Sequence, residues 1–139
     1  MKNVADIFKQ VTSDPIIVFK ENNRIIRFDN SQRMQYKKVH VDSVAVISGV
    51  RCDYMLTSDN EHEEHFIELK GTDVKHAIEQ LQTTIVRLGE YADERHSYVV
   101  STNQAPALKT IVQKAKIEFK KKYQSTLDVK EKLIEVKLT

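Results

Sequence analysis

The sequence predicts a mixed α/β fold in which a central β-hairpin is flanked by helices. Two apolar runs, residues 50–56 and 65–70, enclose a polar stretch that is typical of a turn. An apolar stripe at helical spacing follows this hairpin directly, and a strand-like run and a second helix-like stretch come after it. The middle of the chain therefore has the order strand, strand, helix, strand, helix, which is typical of an α/β protein.

The chain before the central hairpin predicts a short helix, a first hairpin and one further strand. Residues 4–11 carry apolar residues at helical spacing, which favours an amphipathic helix. Residues 16–19 and 25–28 are short apolar runs, and Asn22-Asn23 between them favours a hairpin turn. The segment 36–47 is ambiguous in type, although its valines favour a strand.

The stretch after the central hairpin has the clearest helical pattern of the chain. Asp73 or Thr72 can cap its start, and Gly89 can end it. The other face of the helix is polar, so the apolar stripe should pack on the sheet. This stripe consists of Val74, Ile78, Leu81, Ile85 and Leu88.

Three elements complete the predicted order. Residues 97–101 predict a buried strand, and the apolar spacing from Leu108 to Phe119 predicts a second long helix with Pro106 near its start. Residues 133–138 predict a last strand. No repeat, low-complexity segment or linker interrupts the 139 residues, so we expect a single domain over residues 1–139.

The turn of the central hairpin predicts its register. If the turn is centred between residues 60 and 61, Cys52 pairs with Leu69 and Tyr54 pairs with Ile67, which forms one apolar face. A slip of one residue would turn this apolar set away from the core. The hydrophobic pattern therefore favours this register over its neighbours.

The same register places Asp53 opposite Glu68, with Lys70 two residues further along the same face. Like charges directly opposite on a sheet are unfavourable by up to roughly 1 kcal/mol, so we expect a compensating cation. Carboxylate oxygens favour Mg²⁺ or Mn²⁺, and a lysine beside the metal can position an attacking water or stabilise charge on phosphate. The alternative is an exposed polar face on which Glu68 and Lys70 form a solvated pair.

Asp53, the run Glu68-Leu69-Lys70 and the order of elements over roughly residues 40–120 resemble the PD-(D/E)XK nuclease superfamily. This superfamily has the restriction-endonuclease-like fold and includes archaeal Holliday junction resolvases. The resemblance implies a metal-dependent nuclease that hydrolyses DNA phosphodiester bonds. It implies that Asp53 and Glu68 bind the Mg²⁺ or Mn²⁺ ion, that Leu69 contributes its backbone carbonyl, and that Lys70 assists the water.

The chain also departs from this family. Cys52 stands where the family often has proline, and the first predicted helix lacks the glutamate that many relatives carry. Many members have a functional glutamine on the following helix, and Gln80 or Gln82 could match it. From this resemblance we expect Gln80 to contact DNA. The resemblance further implies a homodimer, because resolvase-like relatives act as dimers.

Charge distribution favours DNA as a partner. The net charge is only +2, but residues 109–139 hold nine lysines against four acids, a local charge of +5, which leaves −3 for residues 1–108. A basic region beside an acidic centre is suited to a polyanion, and we expect Lys114, Lys120 and Lys121 to contact phosphate. The alternative is that these lysines only solvate a helix.

Composition limits the other classes. One cysteine excludes an internal disulfide, no apolar stretch has the length of a membrane span, and the first residues lack a signal-peptide core. We therefore expect a cytoplasmic protein without a membrane partner.

Two interpretations other than a nuclease remain open. The protein could be an inactive module of the same fold that binds DNA or a protein partner, or an immunity-type inhibitor that uses the acidic stretch 59–64. Glu135-Val136-Lys137 repeats the E-x-K spacing with Asp128 upstream, but the chain end follows it rather than a helix. His62 and His65 lie among acids and could bind zinc, although the stretch has the character of an exposed loop.

Overall fold

The computed structural model describes residues 4–41, 51–71, 73–90, 92–102 and 108–138. Within these ranges a 3-10 turn at Asp6–Phe8 precedes nine strands and two α-helices. The strands are β1 (Lys9–Thr12), β2 (Ile16–Glu21), β3 (Arg24–Asp29), β4 (Tyr36–His40), β5 (Tyr54–Ser58), β6 (Glu63–Gly71), β7 (Glu94–Ser101), β8 (Thr126–Glu131) and β9 (Leu133–Lys137), and the helices are α1 (Val74–Leu88) and α2 (Leu108–Tyr123).

The strands form two sheets. The large sheet has the order β1-β4-β5-β6-β7-β8, with antiparallel pairing from β1 to β6 and parallel pairing from β6 to β8. The small sheet has the order β2-β3-β9 and pairs β9 parallel to β3. The structure confirms the predicted α/β class with a mixed sheet and two helices.

Each face of the large sheet has its own hydrophobic core. Met55 and Phe66 pack against the helices together with Leu81 of α1 and Phe119 of α2. On the other face, the small sheet packs on residues that include Leu56, Ile67 and Leu69. The central hairpin is therefore buried on both faces, whereas its sequence predicted one apolar face.

The predicted helix over residues 4–11 is wrong. Ile7 is 87% exposed in the 3-10 turn, and residues 9–12 form the edge strand β1, in which Val11 pairs with Lys37 of β4. The apolar residues at helical spacing do not form a buried stripe, because pairing with β4 determines the local structure. Strand β8 was not expected, since alternating polar residues conceal its few apolar ones.

Most other elements agree with their predictions. The first hairpin is β2–β3, and Asn22 of its turn has a φ of 53°. Segment 36–47 contains β4, and the predictions for residues 42–47, Thr72 and Pro106 lie outside the described residues. Predicted strands 97–101 and 133–138 are found as β7 and β9, which extend over slightly different ranges.

Helix α1 follows its predicted pattern closely. The Asp73 carboxylate accepts a hydrogen bond from the His76 N–H at 3.1 Å and so caps the first turn, and the helix ends at Gly89. Its predicted apolar stripe is buried, and Leu81 is fully removed from solvent. No helix in the described ranges is long and apolar enough to span a membrane.

Candidate active site

The central hairpin has the register that its turn predicted, because Tyr54 pairs with Ile67. Asp53 immediately precedes β5, and its N–H donates to the Ile67 carbonyl at 3.1 Å. The Asp53 carboxylate accepts a hydrogen bond from the Leu69 N–H at 2.8 Å. Asp53 is thus bonded to both neighbours of Glu68, so the backbone fixes the two acids opposite each other.

Both acids are buried, with Asp53 1% exposed and Glu68 0% exposed. Glu68 lies two residues after Phe66 on β6 and therefore on the face that the helices cover. Burial raises the pKa of the Cys52 thiol, and the nearby Glu68 and Asp53 carboxylates raise it further. The two acids thus act on the same thiol in the core beside α1, and the exposed polar face that the sequence left open as an alternative is not formed.

The bend at Asp53 changes the expected position of Cys52. The sequence pairs Cys52 with Leu69 on one apolar face, but Cys52 packs in the helix-side core while Leu69 packs against the small sheet. Strand alternation does not extend to Cys52, because β5 begins only at Tyr54.

The two acids fit a hard divalent cation better than a softer metal. Mg²⁺ commonly keeps several waters and uses one or two carboxylates, whereas a structural zinc site needs four protein ligands. The described residues contain no group of three or more His, Cys, Asp or Glu side chains that could hold a metal. Lys70 follows Leu69 in β6, and its side chain lies outside the described part of the chain.

Two side chains of α1 bind the segment that leads into Asp53. The Gln80 side-chain amide donates to the Arg51 carbonyl at 3.0 Å. The Thr84 hydroxyl accepts from the Cys52 N–H at 2.7 Å and donates to the Gln80 carbonyl at 2.8 Å. Sequence reasoning proposed Gln80 as a DNA contact and missed Thr84, although a threonine on the apolar face of α1 is itself a signal of a buried polar contact.

The predicted DNA-contact lysines are exposed on α2, but they are separated from the acids. Lys120 and Lys121 lie in the last turn of this helix, whose Tyr123 carbonyl accepts a hydrogen bond from Arg95 near the start of β7. Glu68 lies near the end of β6, which runs parallel to β7. In the register Glu68 pairs with Val99, which lies about 13 Å further along β7 than Arg95, so the last turn of α2 and the acids lie at different positions along the sheet.

Glu135 and Lys137, which repeat the E-x-K spacing, lie on an exposed face of the small sheet. In the register they are neighbours of Arg27 and Asp29 of β3. Asp128 lies on β8 of the large sheet, so no hairpin joins it to Glu135. This arrangement differs from that of Asp53 and Glu68, in which both acids are buried on one hairpin.

His65 lies in the core and not in an exposed loop, which corrects the expectation from its acidic surroundings. Its Nε2 lies 2.8 Å from Glu63 and its Nδ1 2.8 Å from the Tyr98 hydroxyl. Burial lowers the pKa of His65. Burial alone would raise the pKa of Glu63, but its contact with His65 lowers it below the ordinary value.

The hydrogen bonds that join Glu63, His65 and Tyr98 lie in a different part of the molecule from Asp53 and Glu68. Glu63 and His65 line a cavity of about 400 Å³ with residues of β7, β8 and β9. They lie at the start of β6, whereas Glu68 lies near its end. A neutral His65 that donates from Nε2 to Glu63 and accepts from Tyr98 satisfies all three groups, which is a sufficient structural role.

The acidic stretch 59–64 does not form a continuous surface. Glu64 is fully buried, and its carboxylate binds the Arg95 guanidinium at 2.8 and 2.9 Å. Glu63 is half-buried against His65 and Tyr36. Asp59 is thus the one exposed acid of this stretch, and the acidic face on which the inhibitor interpretation depends is small.

Comparison with known proteins identifies no relative. No family model matches the chain, and neither a curated protein nor a solved structure matches it.

Proposed function

We propose that the protein is a metal-dependent nuclease with a restriction-endonuclease-like fold, which hydrolyses phosphodiester bonds in DNA. The observation that carries this proposal is the placement of Asp53 opposite Glu68, with both carboxylates buried at one end of the central hairpin. Removing two carboxylates from water costs several kcal/mol before any compensation. Residues with such costly environments are concentrated at functional sites, because the charges are needed for the chemistry.

Each residue of the proposed site has a distinct role. Asp53 and Glu68 would hold Mg²⁺ or Mn²⁺, with the Leu69 carbonyl as a further oxygen ligand. Such an ion lowers the pKa of water and neutralises charge on the phosphate. Lys70 is the next residue of β6, where an ammonium group would orient the attacking water or stabilise the developing charge.

The distribution of charge supports a polyanionic substrate. Lys114, Lys120 and Lys121 are exposed on α2, which packs on the same face of the large sheet as Glu68. These lysines would hold the backbone of DNA at a distance from the carboxylates, which repel phosphate.

A cleavage assay tests the proposal. Purified protein is incubated with supercoiled, linear, single-stranded and branched DNA in Mg²⁺, Mn²⁺ or EDTA. We expect cleavage only with metal, and we expect Glu68→Gln and Lys70→Ala each to lower its rate by at least about 100-fold, which corresponds to about 2.7 kcal/mol. Asp59→Asn, an exposed acid-to-amide change at the other end of the same hairpin, should cleave like the wild type.

A second function is favoured by the exposed lysines themselves. If the acids no longer hold metal, the same domain would bind DNA through α2 without cutting it. Binding in EDTA, together with no cleavage in any metal, would select this alternative. Wild-type activity in Glu68→Gln would instead assign any cleavage to another site or a contaminant.

A further inference from the structure

Thr84 is a buried hydroxyl on the otherwise apolar face of α1. Its Oγ1 lies 2.7 Å from the Cys52 nitrogen and 2.8 Å from the Gln80 carbonyl oxygen. The carbonyl can only accept, so the Thr84 hydroxyl donates its proton to its own helix. Its oxygen is then the acceptor for the Cys52 N–H, and both hydrogen bonds have one defined direction.

The Cys52 N–H donates to the Thr84 side chain and not to the backbone of a neighbouring strand. Cys52 is fully buried and lies before the first residue of β5. A buried N–H group that lacks a partner costs about 1–3 kcal/mol, so this segment depends on an acceptor from another element. Thr84 is that acceptor.

Gln80, one helical turn before Thr84, makes the adjacent contact. Its side-chain amide donates to the Arg51 carbonyl at 3.0 Å. Two side chains of one helix thus hold two consecutive backbone groups, those of Arg51 and Cys52. The next residue along the chain is Asp53.

Asp53 is held from the other side by β6, through its N–H to Ile67 and its carboxylate to Leu69. The helix and the strand together leave its backbone little freedom. We propose that Thr84, supported by Gln80, is a positioning residue that fixes the direction of the Asp53 carboxylate. Its consequence for catalysis depends on the nuclease function proposed above.

Removal of the Thr84 hydroxyl should change the metal dependence of cleavage more than it changes the affinity for DNA. A displacement of about 1 Å at a reacting centre can cost about 100-fold in rate. Thr84→Val keeps the shape of the side chain but removes the hydroxyl, so the Mg²⁺ concentration for half-maximal cleavage should rise about tenfold or more. DNA affinity in EDTA should stay within about twofold of the wild type, and Thr84→Ser should restore the wild-type metal dependence.

The chain offers a matched control beside Thr84. Thr83 is a half-buried neighbour on the same helix. Thr83→Val should therefore leave the metal dependence unchanged, whereas Gln80→Met should reproduce part of the Thr84→Val effect.

A measurement that needs no cleavage decides the structural part of the proposal. In ¹⁵N-labelled protein without metal, Thr84→Val should move the Leu69 amide resonance and raise its hydrogen-exchange rate at least about tenfold, while Thr83→Val and Thr84→Ser should not. An unchanged Leu69 amide in folded Thr84→Val would overturn the proposal. If Thr84→Val does not fold, Gln80→Met decides by the same criterion.

The cleavage and amide measurements can fail independently. If wild-type protein cuts no DNA, the nuclease function fails, and the Leu69 amide still shows whether Thr84 positions Asp53. If wild-type protein cuts DNA and Thr84→Val has wild-type metal dependence, the nuclease function stands and the catalytic consequence of Thr84 is overturned.

Discussion

The carboxylate of Asp53 accepts a hydrogen bond from the backbone N–H of Leu69 at 2.8 Å. This contact closes the central hairpin beside Glu68 and gives Asp53 a structural role in addition to its proposed metal-binding role. Substitutions of Asp53 therefore change stability and activity together. Glu68, whose backbone lies between the two residues that bond Asp53, is the better position at which to test metal binding alone.

Mg²⁺ should stabilise the wild-type protein and should not stabilise Glu68→Gln. A ligand that binds only the folded state at 100 times its Kd raises the free energy of unfolding by about 2.7 kcal/mol. Urea unfolding of each protein in EDTA and in excess Mg²⁺ measures this increment. Asp59→Asn should keep the full increment, and an equal increment in Glu68→Gln would exclude Glu68 as a metal ligand.

Asp53→Ala should lower the free energy of unfolding by about 1–3 kcal/mol in EDTA, because it removes the acceptor of the buried Leu69 N–H. Asp53→Asn keeps a side-chain oxygen at this position, so its loss should be smaller. Urea unfolding in EDTA separates the two variants. Equal losses would mean that the charge of Asp53, and not its hydrogen bond to Leu69, stabilises the hairpin.

Leu81→Ala should lower the free energy of unfolding by about 2–5 kcal/mol, because Leu81 is fully buried where α1 meets the large sheet. Val86 on the same helix is 62% exposed and serves as the control. Val86→Ala should change stability by less than about 0.5 kcal/mol. Similar losses in the two variants would show that the assigned face of α1 is incorrect.

The local sequence pattern was sufficient to predict those elements whose structure depends mainly on their own residues. The turn at residues 60–61 and the apolar alternation around it predicted the register that places Asp53 opposite Glu68, and helical spacing predicted α1 with its cap at Asp73. Both signals act over short distances along the chain, so a single sequence carries them.

Elements that depend on distant partners could not be predicted in this way. β1 is a strand because it pairs with β4, and the second face of the central hairpin is buried because β2 and β3, from an earlier part of the chain, pack on β6. The contact between Thr84 and Cys52 joins residues 32 positions apart. Tertiary pairing of this kind overrides local propensity and leaves only weak traces in the sequence.

Acid should destabilise the protein through His65. Burial holds the pKa of His65 below its ordinary value of 6.5, so the unfolded chain binds a proton that the folded protein does not. The contribution of His65 to the free energy of unfolding is therefore complete above about pH 6.5 and is lost as the pH falls below it, with a slope of up to about 1.4 kcal/mol per pH unit.

His65→Gln should flatten this decline between about pH 6.5 and 5, whereas His76→Gln, at an exposed histidine, should not. Urea unfolding at several pH values measures the slope, and an unchanged slope in His65→Gln would assign the proton to another group.

Charge reversal on α2 should weaken DNA binding without removing the metal site. Lys120 and Lys121 are exposed in the last turn of α2, whereas Asp53 and Glu68 are buried in the central hairpin, so Lys120→Glu with Lys121→Glu leaves the acids unchanged. Loss of two phosphate contacts should lower the slope of log affinity against log salt by about 2, and the loss of affinity should be largest at low ionic strength.

Lys20→Glu with Lys137→Glu changes the net charge equally, but these lysines are exposed on the small sheet, on the other side of the large sheet. Titrations of duplex DNA in EDTA at several salt concentrations compare the two double variants. A general charge effect would weaken both equally and would remove α2 as the DNA contact, whereas a loss confined to the α2 variant would place DNA along α2.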